Sequence, residues 1–164
     1  MDTAVTSSPI VEQAKQYTVI CKDRLLKTLS FIPDDKLDWA PAPTCKSALR
    51  IAAHCGVSNG NFLAIIAGAK FPEISREEMI AMAMEAEKAV TTREQAIALI
   101  EQSSQAVLDA LDSLTPEQIE MVIETPFITA PMPFWMNLPG RHMDNHASQI
   151  DYLQTCWGDM VWHL

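Results

Sequence analysis

Leu138-Pro-Gly-Arg-His142-Met-Asp-Asn-His146-Ala-Ser-Gln149-Ile-Asp-Tyr-Leu153 is the stretch around which the chain is organised. Pro139-Gly140 opens it as a turn signal, and no further breaker occurs before Gly158. The pattern predicts a helix of about four turns with both histidines in its first half. Residues four apart on a helix lie one above the other, so His142 and His146 share a face, and Gln149 stays on it. Two imidazoles stacked this way can ligate one divalent ion. A plainer reading stands beside it: two polar residues near a helix start, partly solvated or satisfied in a pocket.

Composition sets the frame. The chain has 164 residues, 48% hydrophobic and 20% charged, a globular balance with enough length for one buried core. Residues 9–164 are expected to form a single domain behind a flexible tail over 1–8. A formal net charge of −9, with no basic run or stripe to offset it, repels phosphate backbones, so no nucleic-acid partner is expected. The first eight residues have neither the basic nor the apolar part of a signal peptide, and no apolar run approaches the length of a bilayer span. No membrane association is expected. The four cysteines (Cys21, Cys45, Cys55 and Cys156) form no CxxC pair, which suits free thiols in a reducing cytoplasm.

Upstream of the histidine stretch, Pro9 to Ile32 repeats apolar residues at threes and fours and predicts an amphipathic helix with Pro9 in its first turn. The connector Leu37-Asp38-Trp39-Ala-Pro41-Ala-Pro43 is too rich in proline for helix, and Trp39 is its expected anchor. Ser47 to Ala69 predicts a second long helix. It carries His54, Ser58 and Asn61 on one polar stripe that lines a wet cavity or faces solvent. Gly56 and Gly60 weaken that helix and are candidates for close packing. Ser75-Arg-Glu-Glu78 and Thr91-Thr-Arg-Glu94 have the form of capping boxes. They open a shorter helix to about Ala89, with Met79, Met82 and Met84 as packing residues, and a long one to about Leu114. Thr115-Pro116 starts a further short turn. From Val122 to Met136 three prolines interrupt an apolar run, which predicts an extended loop with room for a two-stranded ribbon. That loop delivers Phe134 and Trp135 beside the His142 helix, as the wall of a site or as a core anchor.

Four long amphipathic helices with short accessory helices, and an extended loop before the last of them, describe an all-α four-helix bundle, an architecture that builds metal sites from facing helices. Only four histidines occur, and His54, His142 and His146 sit in predicted helices whose faces can meet in the core. Three neutral imidazoles with open positions would hold Zn²⁺, Ni²⁺ or Fe²⁺. Gln149, Ser58 and Asn61 are candidates to orient a ligand, with Trp135 and Phe134 shaping an apolar mouth.

The chain resembles the DinB-like (DinB/YfiT-like) superfamily in three places. These are Ile32-Pro-Asp-Asp-Lys-Leu-Asp-Trp39-Ala-Pro41, the helix opened by Ser47 that carries His54, and His142-x-x-x-His146-x-x-Gln149 followed by Tyr152-Leu153. The resemblance implies a four-helix bundle, commonly a homodimer, with a divalent metal on His54, His142 and His146. It also implies two kinds of function. One is a metal-dependent enzyme acting on a small-molecule substrate, thiol S-transferase-like with a low-molecular-weight thiol, or hydrolase-like. The other is a non-catalytic, stress-associated metal- or ligand-binding bundle.

Overall fold

A computed structural model describes residues 8–161 and residue 163. Residues 1–7 of the expected tail lie outside the described residues. Helix α1 (Pro9–Ser30) has Pro9 in its first turn and buries Val11, Ala14, Thr18, Cys21, Leu25, Thr28 and Leu29, one stripe at helical spacing. Helix α2 (Ala48–Ile66) starts at Ser47, whose hydroxyl accepts from the Arg50 backbone N–H. The connector between them is pinned by Trp39, which meets Trp157 edge to face at 5.4 Å.

One expected capping box forms as read, and the other is displaced. Ser75 and Glu78 open α3 (Arg76–Ala89). The second lies one residue later than Thr91–Glu94: Thr92 is the cap of α4 (Arg93–Asp112), and Gln95 reaches back to it. A glutamine oxygen serves this reciprocal bond as a glutamate would. A third box, Thr115 with Gln118, opens the short α5 (Pro116–Ile119).

Helix α6 (Met132–Cys156) closes the fold. It begins earlier than the expected loop 122–136 allowed. The antiparallel ribbon β1 (Val122–Glu124) and β2 (Thr129–Pro131) is present, but Phe134 and Trp135 already lie in the first turn of α6. Pro131 caps that turn and Pro133 sits within it, where no intrahelical N–H bond is required. Pro139-Gly140 is likewise no turn, since both lie inside α6 and are buried. Gly140 is needed for contact: a Cβ there would stand 2.9 Å from Tyr17 Cδ1 and 3.2 Å from the Thr18 backbone. Packing against α1 outweighs the proline cost of about 3 kcal/mol in a helix interior.

Helices α1, α6, α2 and α4 form a closed ring, each packed on the next, so the all-α four-helix bundle stands. One core layer joins Leu25 and Leu29 to Ala52, Ile100, Met143 and Ile150; a second joins Val11 and Ala14 to Ile66, Val107, Trp135 and Met136. Hence α1 and α6 run one way, α2 and α4 the other, and the chain crosses back through α3. In the interior Asn59 donates to Ser103 and Ser104 on α4 and contacts the Met143 sulfur at 3.7 Å. Gly56 permits the α2–α4 contact, since a Cβ would meet Leu99 at 2.5 Å, whereas Gly60 has nothing within 4 Å. Helix α3 lies outside the ring on α2, and its one buried residue is Glu87. Met82 and Met84, expected as packing residues, are 66% and 49% exposed, because α3 turns only a narrow polar edge inward. Among the described residues no helix is long and apolar enough to cross a membrane.

Candidate metal centre

Helix α2 carries His54 to the point where α6 presents His142 and His146. The ring centroids of His54 lie 5.0 Å from His142 and 4.9 Å from His146, and those of the α6 pair are 4.4 Å apart. One nitrogen from each of the three lies within 4.8 Å of the other two. All three rings are half-buried. Nε2 of His142 and Nε2 of His146 are 3.2 Å apart. Two ligand bonds of about 2.0–2.1 Å meeting at a tetrahedral angle place their nitrogens about 3.3 Å apart, so the α6 pair already has the spacing that one ion requires.

Hydrogen bonds on the far side of two rings aim their lone pairs. His54 Nδ1 lies 2.6 Å from Glu87 Oε1. An ionised carboxylate can only accept, so His54 donates from Nδ1, which leaves Nε2 as the nitrogen that can offer a lone pair to an ion. Lys46 donates to the other carboxylate oxygen. Burial pushes Glu87 up, but the hydrogen bonds from Lys46 and His54 outweigh it and hold the carboxyl below its ordinary value. His146 donates from Nδ1 to Gln149 Oε1 at 2.7 Å, leaving its Nε2 free as well. His142 has no such partner, and its buried Nδ1 is unpaired; the Phe62 ring stands edge-on to it at 5.3 Å. Burial, reinforced by the two neighbouring histidines, pushes His142 down to about 3, and burial lowers His146 too. These are neutral imidazoles, the form that binds metal.

The remaining sequence candidates fall in different places. Ser58 is buried on α2, whereas Asn61 is exposed, so the expected stripe crosses from interior to surface. Trp135 is buried in the second core layer with its indole N–H donating to the Ala130 carbonyl at 3.1 Å, and Phe134 packs there beside it. Neither is joined to the histidine group, and the aromatic ring against it is Phe62. Cys55 is fully buried, and burial raises its thiol pKa, which makes it a packing thiol. Asp144 and Asp151 turn outward to Arg24. Glu87, Lys46 and Phe62 carry no motif or spacing that marks them in the sequence. The capping box at Ser75 places Glu87 on a helix, but which face of that helix meets α2 is a matter of packing.

The fold and this group of side chains define a class: a helical bundle with three histidines, from two facing helices, able to hold one divalent ion. The DinB superfamily model matches residues 18–150, and the chain belongs to that superfamily. No curated protein matches the chain. Among solved structures, a DinB-like protein from Bacillus cereus is 17% identical, with a TM-score of 0.66 over 90% of this chain and 92% of that one. DfsB, a sibling lethal factor precursor, is 14% identical, with a TM-score of 0.70 over 93% of this chain and 99% of its own. ClbS, a colibactin self-resistance protein, is 15% identical, with a TM-score of 0.67 over the same shares. At these identities the likeness is one of fold. It nevertheless corrects one expectation. ClbS was solved in complex with double-stranded DNA, so exclusion of a nucleic-acid partner from net charge does not stand. Whole-chain charge averages over the surface, while a nucleic acid meets only a local part of it.

Proposed function

We propose that this chain is a metal-dependent enzyme of the DinB superfamily in which His54, His142 and His146 hold one divalent ion and leave coordination positions open. The observation that carries the reading is the 3.2 Å approach of the His142 and His146 Nε2 atoms beneath His54. All-imidazole donors suit Zn²⁺, Ni²⁺ or Fe²⁺. Such an ion would supply Lewis acidity, lowering the pKa of a thiol or water in an open position. The protein's own part is to hold His142 and His146 neutral by burial and to orient His54 through Glu87 and His146 through Gln149. The half-buried rings leave solvent a route to the site. No further histidine, cysteine or carboxylate among the described residues completes a fourth ligand. Three protein ligands with an open position are the usual form of a catalytic rather than a structural zinc site. The chemistry is transfer of a low-molecular-weight thiol or hydrolysis. Four free thiols, two of them exposed, support a cytoplasmic location.

A second reading, a bundle that binds without catalysis, draws on ClbS, a self-resistance protein of the same fold seen with DNA. Elemental analysis of untagged wild type beside His54→Ala, followed by thiol-transfer and hydrolysis assays with and without chelator, separates the readings. About one first-row metal per chain, lost in the variant, with chelator-sensitive turnover, supports the enzyme. Stoichiometric metal with no turnover supports the binding bundle. Metal retained by the variant shows that the ligands are wrongly assigned.

A further inference from the structure

Helix α3 is weakly held by apolar contact. Glu87 is its one buried residue, and Ile80, Met82 and Met84 all face solvent. Polar links to α2 hold it instead. The Glu87 carboxylate takes hydrogen bonds from His54 Nδ1 and from Lys46, just ahead of α2. The Arg50 guanidinium donates to the carbonyls of Glu87 and Val90, capping the C-terminal end of α3. Among the described residues, the His54 bond connects α3 to the three-histidine group.

We propose that Glu87 is the positioning residue for the His54 ligand, and that through this bond the docking of α3 on α2 is coupled to metal occupancy. The proposal rests on the three-histidine reading given above. With the carboxylate in place, His54 has one tautomer and one ring orientation, and its Nε2 lone pair points at the α6 pair. Without it, the ring is free to rotate and to carry its proton on either nitrogen, and each alternative must be undone before the ion binds. The coupling also runs the other way. With an ion held by the three histidines, the Nδ1–H of His54 would become a stronger donor, so the bond to Glu87 would tighten and α3 would be held more firmly. Reciprocity is a thermodynamic requirement: whatever docked α3 adds to metal affinity, bound metal adds to α3 docking.

The test uses the full, untagged chain and Zn²⁺ as probe. Affinity is read by competition with a chromophoric chelator for wild type, Glu87→Ala and Glu87→Gln. Proton–nitrogen correlation spectra report the His54 tautomer, and hydrogen exchange of residues 76–89 is followed with and without zinc. Loss of a group that orients a ligand costs about 10–100-fold in metal affinity, and that loss is expected for Glu87→Ala. The glutamine oxygen still accepts, so Glu87→Gln is expected to keep the Nδ1–H tautomer and to recover part of the affinity. Exchange in α3 is expected to slow when zinc is added to the wild type and to ignore zinc in His54→Ala. Equal zinc affinity in all three proteins overturns the positioning role. Exchange in wild-type α3 that does not respond to zinc overturns the coupling, and this arm needs no variant that folds. A wild type that binds no zinc overturns the three-histidine reading itself and this proposal with it.

Discussion

Nε2 of His146 stands 3.2 Å from Nε2 of His142, one helical turn apart on α6. With the His146 Nδ1 proton committed to Gln149, this places a nitrogen lone pair against the neighbouring ring. The His142 Nε2–H can donate across that gap, and a bound cation would take the place of this proton. On the proposed ligand assignment, Gln149 supports the ligand set without belonging to it. Gln149→Ala is expected to weaken zinc binding by about 10–100-fold while leaving circular dichroism unchanged, a smaller loss than His146→Ala. A chelator competition that ranks Gln149→Ala equal to wild type excludes the role.

Stability of the metal-free protein should depend on pH with a definite sign. His142 titrates near 3 in the folded chain against an ordinary 6.5, so between those values the unfolded state binds more protons. Stability rises with pH wherever that holds. The contribution is present in full above about 6.5 and is lost as pH falls toward 3; His146 and Glu87, both lowered, act in the same direction. Urea midpoints of chelator-treated protein should fall steadily from pH 7 to pH 4, and His142→Asn should flatten the upper part of that curve. An unchanged slope in the variant would show that His142 is not held neutral by burial.

Two glycines should respond to alanine in opposite senses. At Gly140 a Cβ meets the Thr18 backbone at 3.2 Å and Tyr17 at 2.9 Å, and backbone cannot move aside cheaply. Gly140→Ala is expected to destabilise by roughly 1–3 kcal/mol, as overpacking does. Gly60 lies in α2, exposed, with open space around it. Gly60→Ala should stabilise by roughly 0.5–1 kcal/mol through helix propensity. Chemical denaturation of the pair is decisive: a stabilising Gly140→Ala would contradict the close packing of α1 on α6, and a destabilising Gly60→Ala the open space at Gly60.

The thiols should divide into two classes. Cys45 and Cys156 are exposed, Cys21 and Cys55 buried, and burial raises the pKa of both buried thiols. A thiol reagent should label two sites quickly in native protein and the other two only on unfolding. Rapid labelling of Cys55 would mean that the α2 interface beside His54 opens readily.

The sequence by itself determined most of what depends on local geometry. Helical period placed α1, α2, α4 and the histidine-bearing part of α6, hydroxyl and carboxylate side chains marked the start of α3 and, to within one residue, of α4, and a four-residue interval put His142 over His146. These are consequences of 3.6 residues per turn and of unsatisfied backbone donors at helix starts, and they need no tertiary information. Its place in a predicted helix made His54 a candidate third ligand, and resemblance to a family implied the same set. Tertiary structure alone decided the rest. Pro139-Gly140 has the local chemistry of a turn, yet lies inside a helix, because close contact with Tyr17 and Thr18 outweighs that local preference. Trp135 went to the core layer away from the histidines once its helix began at Met132. Glu87 meets His54 across 33 positions of chain, a pairing set by how α3 lies on α2. Contacts of that range arise only when whole helices pack, since no spacing within one helix encodes which face a second helix will turn toward it.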